Sequence, residues 1–134
     1  MAAADRIVGR REFGGVLVVP AKVDLSPVRL IVDTGASVTA LTPQAVERLA
    51  LDRSRFTGRR SIFTAAGTYM TVPTGRIARL RLGAADIRNV EVAILNLSAG
   101  VNIDGLLGVN VLDRFRVTFE FRSATLVLRP EPNR

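Results

Sequence analysis

The chain contains no cysteine and no histidine, and these two absences exclude several kinds of functional site. Without cysteine there is no disulfide, no thiolate metal ligand and no thiol nucleophile. Without histidine, the Ser-His-Asp and Cys-His catalytic arrangements are excluded, together with the commonest protein ligand of transition metals. Any catalysis must therefore depend on carboxylates, hydroxyls, arginines and the backbone. The sequence predicts neither a metal nor a cofactor.

Lysine and aromatic residues are also scarce, although the chain is strongly basic. Lys22 is the only lysine, Tyr69 is the only tyrosine, tryptophan is absent, and the formal net charge is +7. The densest group of arginines lies within residues 52–60. Such arginines could bind an anionic partner such as nucleic acid, but no aromatic-rich surface accompanies them for base stacking. We therefore interpret them as solvated side chains and predict no nucleic-acid partner.

No long hydrophobic run is present. Residues 1–15 lack the apolar segment of a signal peptide, and no stretch approaches the length of a membrane span. We expect a cytoplasmic protein with no membrane contact of its own. Were the chain a fragment, an upstream segment could still anchor it to a membrane.

The patterning predicts a single domain made mostly of short strands. The 134 residues suit one domain, and 48% of them are hydrophobic, enough for a core. Thr42 and Pro43 form a typical helix start before a short amphipathic stretch, and a second short helix is expected over 109–114. Period-two or β-branched segments indicate strands: 16–19, 21–25, 28–32 after a reversal at Ser26-Pro27, 59–82 in two segments, 87–97, 117–121 and 125–128.

The most informative stretch is residues 29–41, RLIVDTGASVTAL. Here an apolar strand ends in Asp33-Thr34-Gly35-Ala36-Ser37, and an apolar-rich run then resumes at Val38. A lone buried carboxylate is costly unless it is paired or changes its pKa. Either Asp33 therefore lies in a turn that exposes its carboxylate to water, or the carboxylate has a partner.

Two further segments accompany this stretch. Thr64-Ala65-Ala66-Gly67-Thr68 joins two extended segments and suggests the tip of a hairpin. Leu106-Leu107-Gly108 is an apolar pair closed by glycine just before the second predicted helix. Taken alone, the first segment could be an ordinary hairpin tip and the second could be core packing.

Together these features resemble a bacterial single-domain retropepsin-like aspartic protease, over Gly14 to Leu128. The resemblance rests on Asp33-Thr34-Gly35-Ala36 after an apolar strand, on Thr64–Gly67 and on Leu106–Leu112. It implies an all-β acid-protease barrel with one or two short helices, a flap hairpin that covers substrate, and a two-fold homodimer. In that reading 1–13 is an N-terminal arm, 14–130 the protease domain and 131–134 a tail.

The resemblance also implies a reaction, the hydrolysis of peptide bonds by two neighbouring carboxylates that share one proton. The chain has one Asp-Thr/Ser-Gly sequence, since Asp104-Gly105 lacks the hydroxyl. The second carboxylate must then come from a second copy, so that Asp33 meets Asp33 of the partner subunit. The implied partners are therefore a second copy of the chain and a peptide or protein substrate.

Other residues acquire roles from the same resemblance. Asp33 is catalytic, and Thr34 is expected to lock the two active-site loops together across the dimer. Many retroviral members have acids at the positions of Ser37 and Val38, so we expect different, more apolar subsites here. The implied active-site loop is Thr34, Gly35 and Ala36; the implied substrate contacts are Ser37, Val38, Ala65, Ala66, Gly67 and Leu106; Leu107 and Gly108 are implied to support the loop.

Two alternatives to catalysis remain open at this point. A retropepsin-like fold could serve as a non-catalytic dimerisation or peptide-binding module, because a fold can persist without its chemistry. An arginine-rich small β domain could instead bind nucleic acid, which a steep salt dependence would reveal.

Overall fold

A computed structural model describes residues 4–63, 67–97 and 102–131. These residues form eleven strands, two short α-helices and one turn of 3-10 helix at Arg53–Arg55. The strands are β1 (Asp5–Val8), β2 (Arg10–Glu12), β3 (Val16–Val23), β4 (Ser26–Val32), β5 (Thr39–Leu41), β6 (Gly58–Phe63), β7 (Tyr69–Leu82), β8 (Ala85–Ile94), β9 (Gly105–Leu107), β10 (Phe115–Glu120) and β11 (Thr125–Pro130), and the helices are α1 (Pro43–Arg48) and α2 (Val109–Leu112).

The strands form two sheets, the larger of which closes on itself. Its order is β2-β3-β4-β9-β5-β8-β7-β6, and a further pairing of β3 with β7 closes six of these strands into a barrel. The smaller sheet has the order β1-β11-β10. The barrel interior is filled by buried aliphatic side chains, which include Val19, Leu30, Leu80, Val90 and Leu107. The prediction of a β-rich chain is therefore confirmed.

The order of strands at the centre of the barrel explains where the site lies. β9 runs parallel to β4 on one side and antiparallel to β5 on the other. The chain leaves β4 at Val32, crosses the end of β9, and returns as β5 from Thr39. Residues 33–38 are therefore a short connection held above the end of β9, where Leu107 and Gly108 lie.

Helix α1 begins as predicted. The Thr42 side chain accepts a 3.1 Å hydrogen bond from the Ala45 amide, and Pro43 occupies the first turn. Helix α2 also falls within the range predicted for it, but it is only four residues long.

The position of the first reversal was predicted wrongly. The turn lies at Asp24-Leu25, and Ser26 and Pro27 are already part of β4. Asp24 has a φ of 54°, a left-handed conformation that aspartate tolerates better than most residues. Pro27 pairs with Lys22 of β3, whereas β9 joins β4 only from Leu30 onward. Proline fits there because its missing N–H removes no bond to β9.

The segment predicted as an N-terminal arm contains two strands. β1 pairs antiparallel with β11 along its whole length, and β2 pairs with the start of β3. Both therefore pair within their own chain. The boundary drawn after residue 13 remains a prediction.

Candidate active site

Asp33 lies at the start of a tight connection that holds one of its carboxylate oxygens. Oδ1 accepts a 2.9 Å hydrogen bond from the Gly35 amide, and the Asp33 carbonyl accepts from the Ala36 amide at 3.2 Å. The Asp33 amide in turn donates to the Leu107 carbonyl at 3.0 Å. These three bonds fix the carboxylate at the mouth of the barrel, where Asp33 is half-buried and Thr34 is exposed.

Close approach of the backbone requires glycine at position 108, and a side chain at Gly35 would crowd the carboxylate. A Cβ on Gly35 would lie 3.2 Å from Asp33 Oδ1, which is tighter than ordinary contact. A Cβ on Gly108 would lie 2.7 Å from the Val38 carbonyl carbon and 2.9 Å from the Ala36 oxygen. The Val109 amide also donates to that Ala36 oxygen at 2.8 Å. The loop therefore rests directly on the backbone at the start of α2.

A partly buried polar network that the sequence analysis missed joins the end of the loop to neighbouring elements. Asn110 Oδ1 accepts 2.8 Å hydrogen bonds from both the amide and the hydroxyl of Thr39. The hydroxyl oxygen of Thr39 accepts a 3.0 Å hydrogen bond from the Gly108 amide. Asn110 Nδ2 donates a 2.9 Å hydrogen bond to the Glu91 carbonyl. One threonine and one asparagine thus join β5, β8 and α2. The available signal was a single polar residue within each of two apolar runs, at Thr39 and at Asn110.

A cleft of about 660 Å³ opens on the Ala36 side of Asp33. The β6–β7 hairpin contributes Ile62, Phe63 and Met70 to its walls. Asp33 is the only charged side chain among the described residues that line it, although the chain carries 19 basic residues. The cleft can therefore accept apolar side chains beside a single carboxylate. Its other lining residues are Gly35, Ala36, Ser37, Val38, Ala40, Ala93, Leu95, Asn96, Leu97 and Leu106.

The predicted site residues do not all lie in the cleft. Asp33, Gly35, Ala36, Ser37, Val38 and Leu106 share the cleft, whereas Leu107 is buried beneath it and pairs with Val32. Thr34 lines a different groove, together with Val32 and Phe121. In the flap, Gly67 is exposed with a φ of 82°, and it does not line the cleft. Ala65 and Ala66 lie outside the described residues.

The hairpin that covers the cleft carries an aromatic pair at its outer end. Phe63 and Tyr69 are the last paired residues of β6 and β7, and their ring centroids are 5.0 Å apart in an edge-to-face arrangement. Tyr69 is 73% exposed, so the pair projects from the barrel above the cleft. Phe63 is also part of the cleft wall, as is Met70, which follows Tyr69.

The groups with shifted pKa values lie away from the cleft. Hydrogen bonds from the hydroxyl and amide of Ser54 lower the pKa of the Asp52 carboxyl, and the other shifted groups belong to two ion pairs. The hydrogen bond from Arg60 holds the pKa of the Glu91 carboxyl below its ordinary value, and Glu91 in turn raises the pKa of Arg60. The Arg6 side chain lowers the pKa of Glu120 in the same way. These pairs join strands on the surface.

Neither a metal site nor a membrane helix is found within the described ranges. No group of three or more acidic, cysteine or histidine side chains there could hold a metal ion. The helices that the structure describes are too short to cross a membrane.

Comparison with known proteins agrees with this geometry. The model of a family described as aspartyl protease matches residues 19–111. The fold is similar to a retropepsin-like aspartic protease from Rickettsia conorii, with a TM-score of 0.72 and 24% identity over 94% of this chain and 91% of that one. It is also similar to the retroviral protease-like domain of Ddi1 from Leishmania major, with a TM-score of 0.58 and 20% identity over 88% of this chain and 95% of that one. The predicted retropepsin-like fold is therefore confirmed.

Proposed function

The chain belongs to the aspartyl protease family, and we propose that it is an aspartic endopeptidase that acts as a homodimer. Its active site combines Asp33 with Asp33 of the partner subunit. The observation that carries this proposal is the cleft itself, which holds one fixed carboxylate and no other charged group among its described residues. A carboxylate-only peptidase needs two such groups close together.

In the proposed reaction the two carboxylates share one proton, because like charges in contact do not both ionise. The ionised carboxylate takes a proton from a water molecule, whose oxygen attacks the peptide carbonyl carbon. The protonated carboxyl gives its proton to the carbonyl oxygen, and a tetrahedral diol forms. The diol then collapses as the C–N bond breaks, and one proton passes to the leaving amine.

The chain's own geometry supplies the orientation that this chemistry needs. The Gly35 amide donates to Asp33 Oδ1 and so fixes the plane of the carboxylate. The β6–β7 hairpin would hold the substrate against Asp33 and exclude water from the cleft. A carboxylate held in advance costs little reorganisation during the reaction.

The walls of the cleft favour peptides with apolar side chains on either side of the cleaved bond. Val38, Leu106, Phe63 and Met70 all line the cleft and are apolar. Ser37 also lines the cleft, and its side chain is polar but carries no charge. Peptides whose cleavage site is flanked by acidic or basic side chains would be poorer substrates because the cleft offers these side chains no counter-charge.

The test is cleavage of a diverse peptide mixture across pH by the protein and by its Asp33→Asn variant. We expect cleavage by the former that disappears in the latter, with cut sites enriched in apolar residues. Cleavage by both proteins would contradict the proposal, because the active group would then not be Asp33.

The second candidate function is a non-catalytic dimerisation or peptide-binding module. Its specific support is the apolar cleft, which would bind peptides without cleaving them. The absence of cleavage by either protein, combined with saturable binding of apolar peptides, would favour this function over catalysis.

A further inference from the structure

A basic groove of about 330 Å³ lies beside the first residue of β6, at the opposite end of that strand from Phe63. Arg55, just before β6, and Arg76, on β7, both line it. Both residues are exposed, and within the described ranges neither forms a salt bridge. Two such guanidinium groups in one groove attract an anion. The other lining residues are Thr57, Gly58, Thr74, Gly75 and Glu91.

The acidic groups nearest to these arginines already have partners. Glu91 is the single carboxylate among the described residues that line the groove, and Arg60 donates to its two oxygens at 3.1 and 2.9 Å. Asp52, three residues before Arg55, accepts from the amide and the hydroxyl of Ser54 at 3.0 and 2.7 Å. The groove therefore keeps an excess of positive charge.

The segment that carries Arg55 is fixed in place. The Arg55 amide donates a 3.0 Å hydrogen bond to the Asp52 carbonyl, and the next residue, Phe56, is 7% exposed. The Phe56 ring packs so closely on Gly75 that a Cβ there would lie 2.9 Å from it. A binding surface that is ordered in advance loses less conformational entropy when its ligand arrives.

The groove and the active-site cleft lie on the same three strands. Thr74 of β7 pairs directly with Ala93 of β8, and the former lines the groove whereas the latter lines the cleft. On β6, Gly58 lines the groove and Ile62 lines the cleft. Residues four apart on a strand face the same side and are separated by about 13 Å. An extended peptide covers that distance in about four residues.

An unpaired strand edge joins the two sites. In the part of the chain that the structure describes, β6 pairs with β7 alone and is the last strand of the larger sheet. Its other edge offers backbone N–H and C=O groups along a line from Gly58 at the groove to Phe63 at the cleft. An extended peptide can bind to such an edge as an added strand.

We propose that this groove is an exosite, a substrate-binding site outside the cleft, which binds an acidic side chain of the peptide substrate. The inference rests on the proposed function, because it describes a further feature of the same substrates. Arg55 and Arg76 would share the carboxylate of the peptide. Preferred substrates would therefore be apolar at the cleaved bond and acidic about four to six residues away from it.

A peptide is favoured over nucleic acid as the occupant of the groove. No aromatic side chain is among its described lining residues, so it lacks a platform on which bases could stack. The groove also continues along the edge of β6 to a cleft whose walls are largely apolar. Extended peptides bind to both kinds of surface.

The first test is the cleavage of paired peptides at low salt. The peptides share one apolar cleavage site and carry Glu or Gln about four to six residues from it, on either side in turn. We expect kcat/KM to be roughly three- to ten-fold higher for the Glu peptide, the value of one or two partly exposed charge pairs. This ratio should fall with added salt.

Substitutions in the groove should remove that preference. Arg55→Gln and Arg76→Gln should each bring the ratio of kcat/KM for the Glu and Gln peptides close to one. Arg10→Gln is the matched control and should leave the ratio unchanged, since Arg10 is exposed on β2, at the other end of the strand order. Arg55→Glu should reverse the preference, so that a Lys peptide is cleaved faster than the Glu peptide. A merely structural defect would slow the cleavage of all peptides alike.

The second test measures binding without catalysis. Fluorescent Glu and Gln peptides are titrated with the Asp33→Asn variant, and anisotropy is recorded. The Glu peptide should bind roughly three- to ten-fold more tightly, and adding Arg55→Gln should abolish the difference. Equal binding of the two peptides would overturn the inference. A single-stranded oligothymidylate that binds more tightly than the Glu peptide, and through Arg55, would overturn the choice of occupant.

These outcomes are separable from those of the proposed function. A protein that cleaves no peptide but binds the Glu peptide through Arg55 supports the exosite and contradicts the protease. Asp33-dependent cleavage of both peptides at the same rate contradicts the exosite alone.

Discussion

The hydroxyl of Thr39 donates a 2.8 Å hydrogen bond to Asn110 Oδ1, and the same hydroxyl oxygen accepts from the Gly108 amide at 3.0 Å. Thr39 is 1% exposed, so these bonds are sheltered from water. Through this pair, the end of the active-site loop is bound to the start of α2. The loop that carries Asp33 is thus joined to α2 by a contact between residues 71 positions apart in the chain.

Asn110→Ala should destabilise the fold and disturb the loop. It leaves the Thr39 amide without its partner, and an unsatisfied buried donor costs about 1–3 kcal/mol. We expect a lower melting temperature and a lower kcat for peptide cleavage. The exposed Asn102 offers the matched control, and Asn102→Ala should change neither value substantially. An Asn110→Ala protein with unchanged stability and kcat would show that the network does not position the loop.

Mixing experiments can test whether two chains share one active site. If subunits exchange freely, an equal mixture of wild type and Asp33→Asn should retain roughly a quarter of the activity of the same total amount of wild type, since only that fraction of dimers has two carboxylates. Activity is measured on one peptide after a long incubation that allows exchange. Retention of about half would instead indicate that each chain acts independently.

Ser37→Asp should change the preference of the cleft. The new carboxylate would lie on the cleft wall, where it could pair with a basic side chain of the substrate. We expect kcat/KM for an Arg-containing peptide to rise roughly two- to five-fold relative to its apolar analogue, the value of a partly exposed ion pair. Ser61→Asp is the control, because Ser61 lies on the same hairpin at an exposed position and does not line the cleft. If kcat/KM changed equally in both variants, the change would reflect the added charge in general and not a contact made in the cleft.

The ion pair between Glu91 and Arg60 should give a pH-dependent stability. Arg60 lowers the folded-state pKa of Glu91 below its ordinary value of 4.5. The stabilisation is therefore present above that value and lost as the pH falls through the folded-state pKa. Glu91→Gln should melt at a lower temperature than wild type at pH 7.

The difference in melting temperature should shrink as the pH falls well below 4.5. Because both side chains are partly exposed, the difference will be small and should decrease further with added salt. Glu47→Gln, at an exposed position on α1, serves as the control. A difference that widens toward acid pH would contradict the assigned direction of the pKa shift.

Local signals predicted the elements around the site but not all of their ends. Thr42 and Pro43 predicted the start of α1 because capping and proline geometry act within one turn. The reversal near Ser26 was misplaced by two residues, since the position of Pro27 depends on where β9 joins β4. That pairing is a long-range contact, which turn preferences do not encode.

The amino-acid sequence by itself determined the chemistry that is possible. It excluded thiol and imidazole catalysis, placed Asp33-Thr34-Gly35 after an apolar strand, and provided one such carboxylate per chain. Only the tertiary structure decided which distant groups surround that carboxylate. Thr39 meets Asn110, and Thr34 shares a groove with Phe121, because β9 inserts between β4 and β5 and β10 ends beside the loop. Residue type and spacing act locally, whereas such neighbours are set by the order in which strands pair.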